Sequence, residues 1–231
     1  VVGGHGFIGP HLVRRLCDLG AKVVGLSPKS ETPIVGCDYK FYKADIRDFD
    51  KVLEATKNID CVFHNVAQVP LAKDKELFNS VNNLGTKNIL EASKINGCNQ
   101  LIYTSSSAIY GIPDSNPVNE QTIPKPVEEY GRAKLEGENQ CLLYEDEMII
   151  TIIRPRTILG RGRLGIFQIL FEWIYAGQNI PVFDSGANVY QFVHCEDLAD
   201  ACVKSFQNRA RGSFNIGAED YHQLMRAWEL K

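Results

Sequence analysis

Residues 1–9 read Val1-Val2-Gly3-Gly4-His5-Gly6-Phe7-Ile8-Gly9, placing Gly3, Gly6 and Gly9 in a G-x-x-G-x-x-G array directly after an apolar pair. Pro10–Leu19 comes next with the apolar spacing of an amphipathic helix, so the glycines stand where a strand turns into a helix. Such a turn lets backbone approach a pyrophosphate closely and aims a free helix N-terminus at it. Glycines also serve ordinary turns, and the array takes its meaning from the chain downstream of it.

Downstream, strands and helices alternate. Short apolar or β-branched runs at Val23–Leu26, Lys40–Lys43, Cys61–His64, Leu101–Thr104, Ile149–Ile153 and Ser213–Ile216 read as strands. Helical patterns lie between them at Asp50–Ala55, Ser80–Ile95 and Tyr130–Tyr144. This order predicts an α/β fold: a doubly wound parallel sheet with helices on both faces. Two segments break the rhythm and read as long loops. Ile112–Glu129 holds four prolines, and Arg154–Gly165 is rich in arginine and glycine.

Composition narrows the function classes. Hydrophobic residues make up 44% of 231 positions, enough for a sizeable core. A net charge of −3 supplies no basic field for nucleic acid. No apolar run approaches the ~20 residues needed to span a bilayer. Seven cysteines are scattered and never spaced C-x-x-C. They read as unpaired, small buried hydrophobes of a reducing, cytoplasmic compartment, not as a disulfide framework or zinc ribbon. His64, His194 and His222 lack partners at metal-ligand spacing and read as structural, so no metal site is expected. Val1 already stands inside a strand-like run, so the native start is expected upstream.

Chemistry points to the second half of the sheet. Tyr130 and Lys134 are spaced to share one face of a helix. A free tyrosine, with a pKa near ~10, is a poor base at neutral pH. A nearby ammonium favours its phenolate. The run Thr104-Ser105-Ser106-Ser107 places hydroxyls at the carboxyl end of a strand, where open α/β sheets bind ligands. Ala67 closes the Cys61–His64 strand in the same region, and Asp45 stands where a carboxylate could accept from an adenine amino group.

Taken in order, VVGGHGFIG, ADIRD, VFHNVAQ, NNLGT, SSSAIYG, YGRAK, IIRP and FVHCEDLADA resemble the extended short-chain dehydrogenase/reductase family. This is the NAD-dependent epimerase/dehydratase group, typified by nucleotide-sugar 4-epimerases. The resemblance runs from Gly3 to about Gly217 and implies a Rossmann-type domain with a smaller C-terminal substrate lobe. It implies a core at residues 1–155 with 190–217 returning to it, and a partial lobe at 156–189 and 218–231. NAD or NADP is the implied cofactor, held by Gly3, Gly6, Phe7, Ile8, Gly9, Asp45, Ile46, Ala67 and Lys134. Tyr130 is the implied acid/base, Lys134 tunes it, and Ser106 is the catalytic hydroxyl with Ser107 as runner-up. Asn82 matches an asparagine that is structural or cofactor-adjacent.

Departures qualify the substrate. Ser107 and Ala108 replace the acidic pair of 4,6-dehydratases, which argues against elimination of water. Thr157 replaces a family asparagine, and Tyr190 stands where an arginine usually grips the substrate diphosphate. Arg161 and Arg163 are the alternative cations, so Ser107, Thr157, Arg161, Arg163 and Tyr190 are the substrate candidates. The expected activity is epimerisation of a nucleotide sugar. A carbonyl reductase or hydroxyl dehydrogenase is the alternative, and a non-catalytic dinucleotide sensor is a third reading. A small-molecule partner is expected, neither nucleic acid nor membrane is, and a homodimer is left open.

Overall fold

A computed structural model describes residues 1–29, 37–68, 75–160, 167–179, 189–219 and 221–223. After the glycine turn come α1 (Gly9–Asp18), β1 (Val23–Ser27), β2 (Tyr39–Lys43), α2 (Phe49–Ala55) and β3 (Cys61–His64). Next are α3 (Lys75–Asn79), a π-helical stretch Ser80–Gly85, α4 (Thr86–Ile95) and β4 (Gln100–Thr104). The second half supplies α5 (Glu129–Leu142), β5 (Ile149–Pro155), β6 (Thr157–Leu159), α6 (Phe167–Tyr175) and β7 (Val189–His194). The described elements end with α7 (Cys195–Gln207), β8 (Gly212–Ile216) and β9 (Tyr221–Gln223).

β3, β4, β5 and β8 form a parallel sheet in that order, and β1 pairs with β2 in parallel. Val2 joins the two groups through parallel bridges to Leu26 and His64. The expected parallel α/β architecture is therefore present. Every residue of β5 (Ile-Ile-Thr-Ile-Ile-Arg-Pro) is buried, as a strand covered on both faces must be. On one face, Val52 of α2, Ile89 and Leu90 of α4 and Cys141 of α5 pack on Val62, Leu101 and Ile150. On the other, Leu12, Val13 and Leu16 of α1 meet Leu198, Ala199 and Cys202 of α7 over Phe63, Ile102 and Ile153. Two apolar stripes, one per face, hold the sheet in register.

Two expectations need correction. Arg154–Gly165 is not one loop: Arg154 and Pro155 complete β5, and Thr157–Leu159 forms β6 against Phe192–His194 of β7. The arginine-rich composition hides a strand whose backbone is paired on both sides of Arg156. The cysteines are not all unpaired either, because Cys17 and Cys37 are joined in a disulfide with Cα atoms 5.3 Å apart. The end of α1 and the approach to β2 meet there, a tertiary contact that a 20-residue separation does not signal. Cys98, Cys141, Cys195 and Cys202 are buried thiols, as expected. Among the described residues, no helix is long and apolar enough to cross a membrane.

Candidate active site

A cavity of about 770 Å³ opens at the carboxyl ends of the parallel strands. Gly3, Gly6, Phe7 and Ile8 line one end, with Ala67 from the segment after β3. The hydroxyl run Thr104–Ser107, Tyr130, Lys134, Thr157 and Tyr190 line the rest.

The glycine turn is a cradle. Gly3 has φ +81°, its N–H donates to the Leu26 carbonyl at 2.8 Å, and its own carbonyl accepts from the Gly6 N–H at 2.8 Å. A side chain at Gly9 would run into the Gly3 carbonyl and the Gly4 backbone, so helix and turn touch directly. No side chain caps α1, which leaves its first N–H groups facing the turn. Open donors beside a backbone with no room for side chains fit a dinucleotide pyrophosphate.

Asn82 holds the neighbouring wall. Its Oδ1 accepts from the Gln68 N–H at 2.9 Å and its Nδ2 donates to the Gln68 carbonyl at 3.3 Å. Asn82 sits in the π-helical stretch, a widened turn of the kind often placed at functional sites. Asp45 and Ile46 come after β2 but do not line the cavity. The Asp45 carboxylate is gripped by Arg47, which holds it below the usual carboxylate range, and the Ile46 side chain belongs to the core. Gly9 supports the cradle from behind it. Arg161 and Arg163 lie outside the described residues.

The reactive end is built by β4 and α5. Ser106 caps the 3₁₀ turn Ser107–Tyr110, its Oγ accepting from the Ala108 N–H at 3.2 Å. Tyr130 lies in the first turn of α5 and Lys134 one turn on. Lys134 is only 5% exposed, donates from Nζ to the Thr104 carbonyl at 2.6 Å, and stands 4.9 Å above the Tyr103 ring. Burial pulls its pKa down to about 8, opposed by the charges of Cys141 and Glu138. An ammonium so placed is still charged at neutral pH, yet close to its titration point.

Beneath these groups runs a polar network whose burial the sequence does not announce. Glu138 Oε2 and Oε1 accept from Arg154 Nη2 and Nε at 2.7 and 3.0 Å, a two-pronged pair. Glu138 also accepts from Ser105 Oγ at 2.5 Å, and Arg154 Nη1 donates to the Tyr110 hydroxyl at 2.9 Å. Glu138 stands one turn beyond Lys134 on the Tyr130 face, a spacing visible in the sequence. Its burial is not. Arg156, likewise absent from the expected site, lines the cavity and donates from Nη1 to Ser107 Oγ at 3.2 Å.

Comparison with known proteins identifies the family. Residues 1–217 match the NAD-dependent epimerase/dehydratase family. The uncharacterised protein y4nG of Sinorhizobium fredii is 46% identical over 96% of this chain and 56% of its own length. The UDP-glucose 4-epimerase of Mycolicibacterium smegmatis is 30% identical, over 94% of this chain and 76% of its own. The human sterol-4-alpha-carboxylate 3-dehydrogenase, decarboxylating, is 29% identical over 96% of this chain and 60% of its own. The chain thus spans between about half and three quarters of the length of these relatives. Among solved structures, MoeE5 in complex with UDP-glucuronic acid and NAD superposes with a TM-score of 0.86 at 25% identity, covering 98% of this chain and 78% of MoeE5. With residues 1–217 matched, the chain belongs to the NAD-dependent epimerase/dehydratase family.

Proposed function

We propose that this protein is an NAD(P)-dependent epimerase of a nucleotide-activated sugar. The observation that carries the reading is convergence. The glycine cradle and the pair Tyr130 and Lys134 line a single cavity beside Ser106 and Ser107. A bound nicotinamide dinucleotide supplies reversible hydride transfer. Tyr130 takes the proton of a sugar hydroxyl as its carbon becomes a carbonyl, and returns it when the carbonyl is reduced from the other face. Lys134 holds its positive charge within the same walls, and a nearby ammonium favours the phenolate over the phenol. Ser106 shares the substrate oxygen and orients it towards Tyr130. Gly3, Gly6, Phe7, Ile8 and Ala67 seat the dinucleotide, with Gly9 buttressing the turn. Asp45 and Ile46, just past β2 and off the described cavity wall, are the residues that a dinucleotide running beyond that wall would meet at its adenine end. Ser107, Thr157 and Tyr190 face the sugar, and residues 156–189 with 218–231 contribute the substrate lobe.

A second reading, net oxidation or reduction of a carbinol, draws support from the sterol dehydrogenase relative and from Tyr190 in place of a diphosphate-gripping arginine. Stoichiometry separates the two. An epimerase turns over many substrates with no lasting change in the reduced-nicotinamide absorbance. Cofactor consumed one for one with product would replace epimerisation by dehydrogenation.

A further inference from the structure

Two arginines at the end of β5 have opposite circumstances. Arg154 is 7% exposed and already ion-paired, with Glu138 and Tyr110 accepting from its fork. Arg156, two residues on, is half-buried on the cavity wall. Its backbone is fixed, because its N–H donates to the Ile216 carbonyl at 2.9 Å. Among the described residues, its guanidinium bonds to Ser107 Oγ and has no carboxylate within ion-pair reach. A partly desolvated guanidinium without a counter-charge is a receptor for a planar oxyanion.

The rest of the cavity narrows the choice of oxyanion. Its described cations are Lys29, Lys134 and Arg156, and its described anion is Glu128. Lys29 lies just past β1 at the dinucleotide end, and Lys134 is spent on Thr104 and the Tyr130 helix. Arg156 is therefore the described cation of the sugar end, and its hydroxyl partner Ser107 adjoins Ser106. In a nucleotide sugar the diphosphate hangs on C1, across the ring from a C4 hydroxyl. The carboxylate of a hexuronic acid stands on the carbon next to C4. A cation bonded to the reactive hydroxyl run meets the second group sooner than the first.

We infer that Arg156 reads a carboxylate on the sugar, so that the substrate class is a nucleotide-activated hexuronic acid. This rests on the nucleotide-sugar reading above and narrows it. The test uses the full chain with NAD present and titrates UDP, UDP-glucose and UDP-glucuronic acid by calorimetry against wild type, Arg156→Met and Arg156→Lys. Wild type is expected to bind UDP-glucuronic acid at least about tenfold more tightly than UDP-glucose, since charge-assisted bonds are strong. Arg156→Met should erase that preference while UDP and UDP-glucose stay within about threefold, and Arg156→Lys should keep part of it because the charge survives without the fork. Equal wild-type affinities, or a preference that survives in Arg156→Met, would overturn the inference. So would an equal weakening of all three ligands in Arg156→Met, which would put the guanidinium on the diphosphate. If UDP and UDP-glucose bind but the uronic acid gains nothing, only this inference fails. If none of the three binds wild type, the nucleotide-sugar reading fails and takes this one with it.

Discussion

Lys134 donates its ammonium proton to the Thr104 carbonyl across 2.6 Å, tying the helix of Tyr130 to the strand that ends in the hydroxyl run. The bond fixes the height of α5 on the sheet and keeps a charge inside the cavity. The groups around that charge are Glu138 and Cys141 from α5, Tyr103 from β4 and His64 from β3.

An alkaline limb in the rate is the consequence of that burial. The Lys134 pKa is pulled down to about 8, so its ammonium is complete below that pH and lost above it. The rate of the chemical step should therefore fall above about pH 8 as the phenolate loses its counter-charge. Lys134→Met should be slow at every pH and show no such limb. A profile flat from pH 7 to 10 in the wild type would contradict this role.

The Glu138–Arg154 pair predicts a stability effect of stated size. With Glu138 2% exposed and Arg154 7% exposed, removing one charge strands the other. Glu138→Gln should cost about 3–5 kcal/mol in urea unfolding, the usual penalty for an uncompensated buried charge. A cost below about 1 kcal/mol would show that Arg154 finds water instead.

His64 should make the fold acid-sensitive. It is fully buried, its Nε2 lies 3.0 Å from Thr86 Oγ1, and burial lowers its pKa to about 3. The unfolded chain takes up that proton below about pH 6.5, so this contribution is complete above pH 6.5 and lost as pH falls towards 3. At pH 5 the loss is about 2 kcal/mol. His64→Gln should show a shallower decline of Tm between pH 6.5 and 5. An identical decline would assign the acid sensitivity elsewhere.

Cofactor choice turns on the end of β1. Ser27, Pro28 and Lys29 line the cavity where NAD enzymes of this fold carry an acidic residue for the ribose 2′-hydroxyl. NADP should bind at least as well as NAD in a calorimetric titration. NAD tighter by roughly tenfold or more would reverse the assignment.

Much of this is legible in the sequence, and the reasons differ by element. β3 is expected at Cys61–His64 and is found there, because a short apolar run between polar turns allows little else. The Tyr130 helix and the glycine turn are legible through spacing, which local geometry enforces. β6 and β7 are not, because their residues are mostly half-buried or exposed and pair with each other, leaving neither a continuous apolar run nor clean alternation. α7 hides behind its acidic first turn, although Leu198, Ala199 and Cys202 are fully buried. The helix expected over Ser80–Ile95 begins as a π-helical stretch, since backbone widening leaves no mark on composition. The roles of Arg154 and Arg156 depend on burial and partners, which residue type alone does not carry.

If Tyr130 moves the proton in this cavity, as proposed, Tyr130→Phe should remove the chemistry and little else. The substitution deletes one hydroxyl and leaves the glycine cradle untouched. Single-turnover and steady-state rates with a nucleotide sugar should fall by ~10²–10⁴-fold, the range of general acid–base catalysis, while dinucleotide affinity stays within a few-fold. A variant that keeps more than about a tenth of the wild-type kcat would contradict the account and move the acid/base role to another residue.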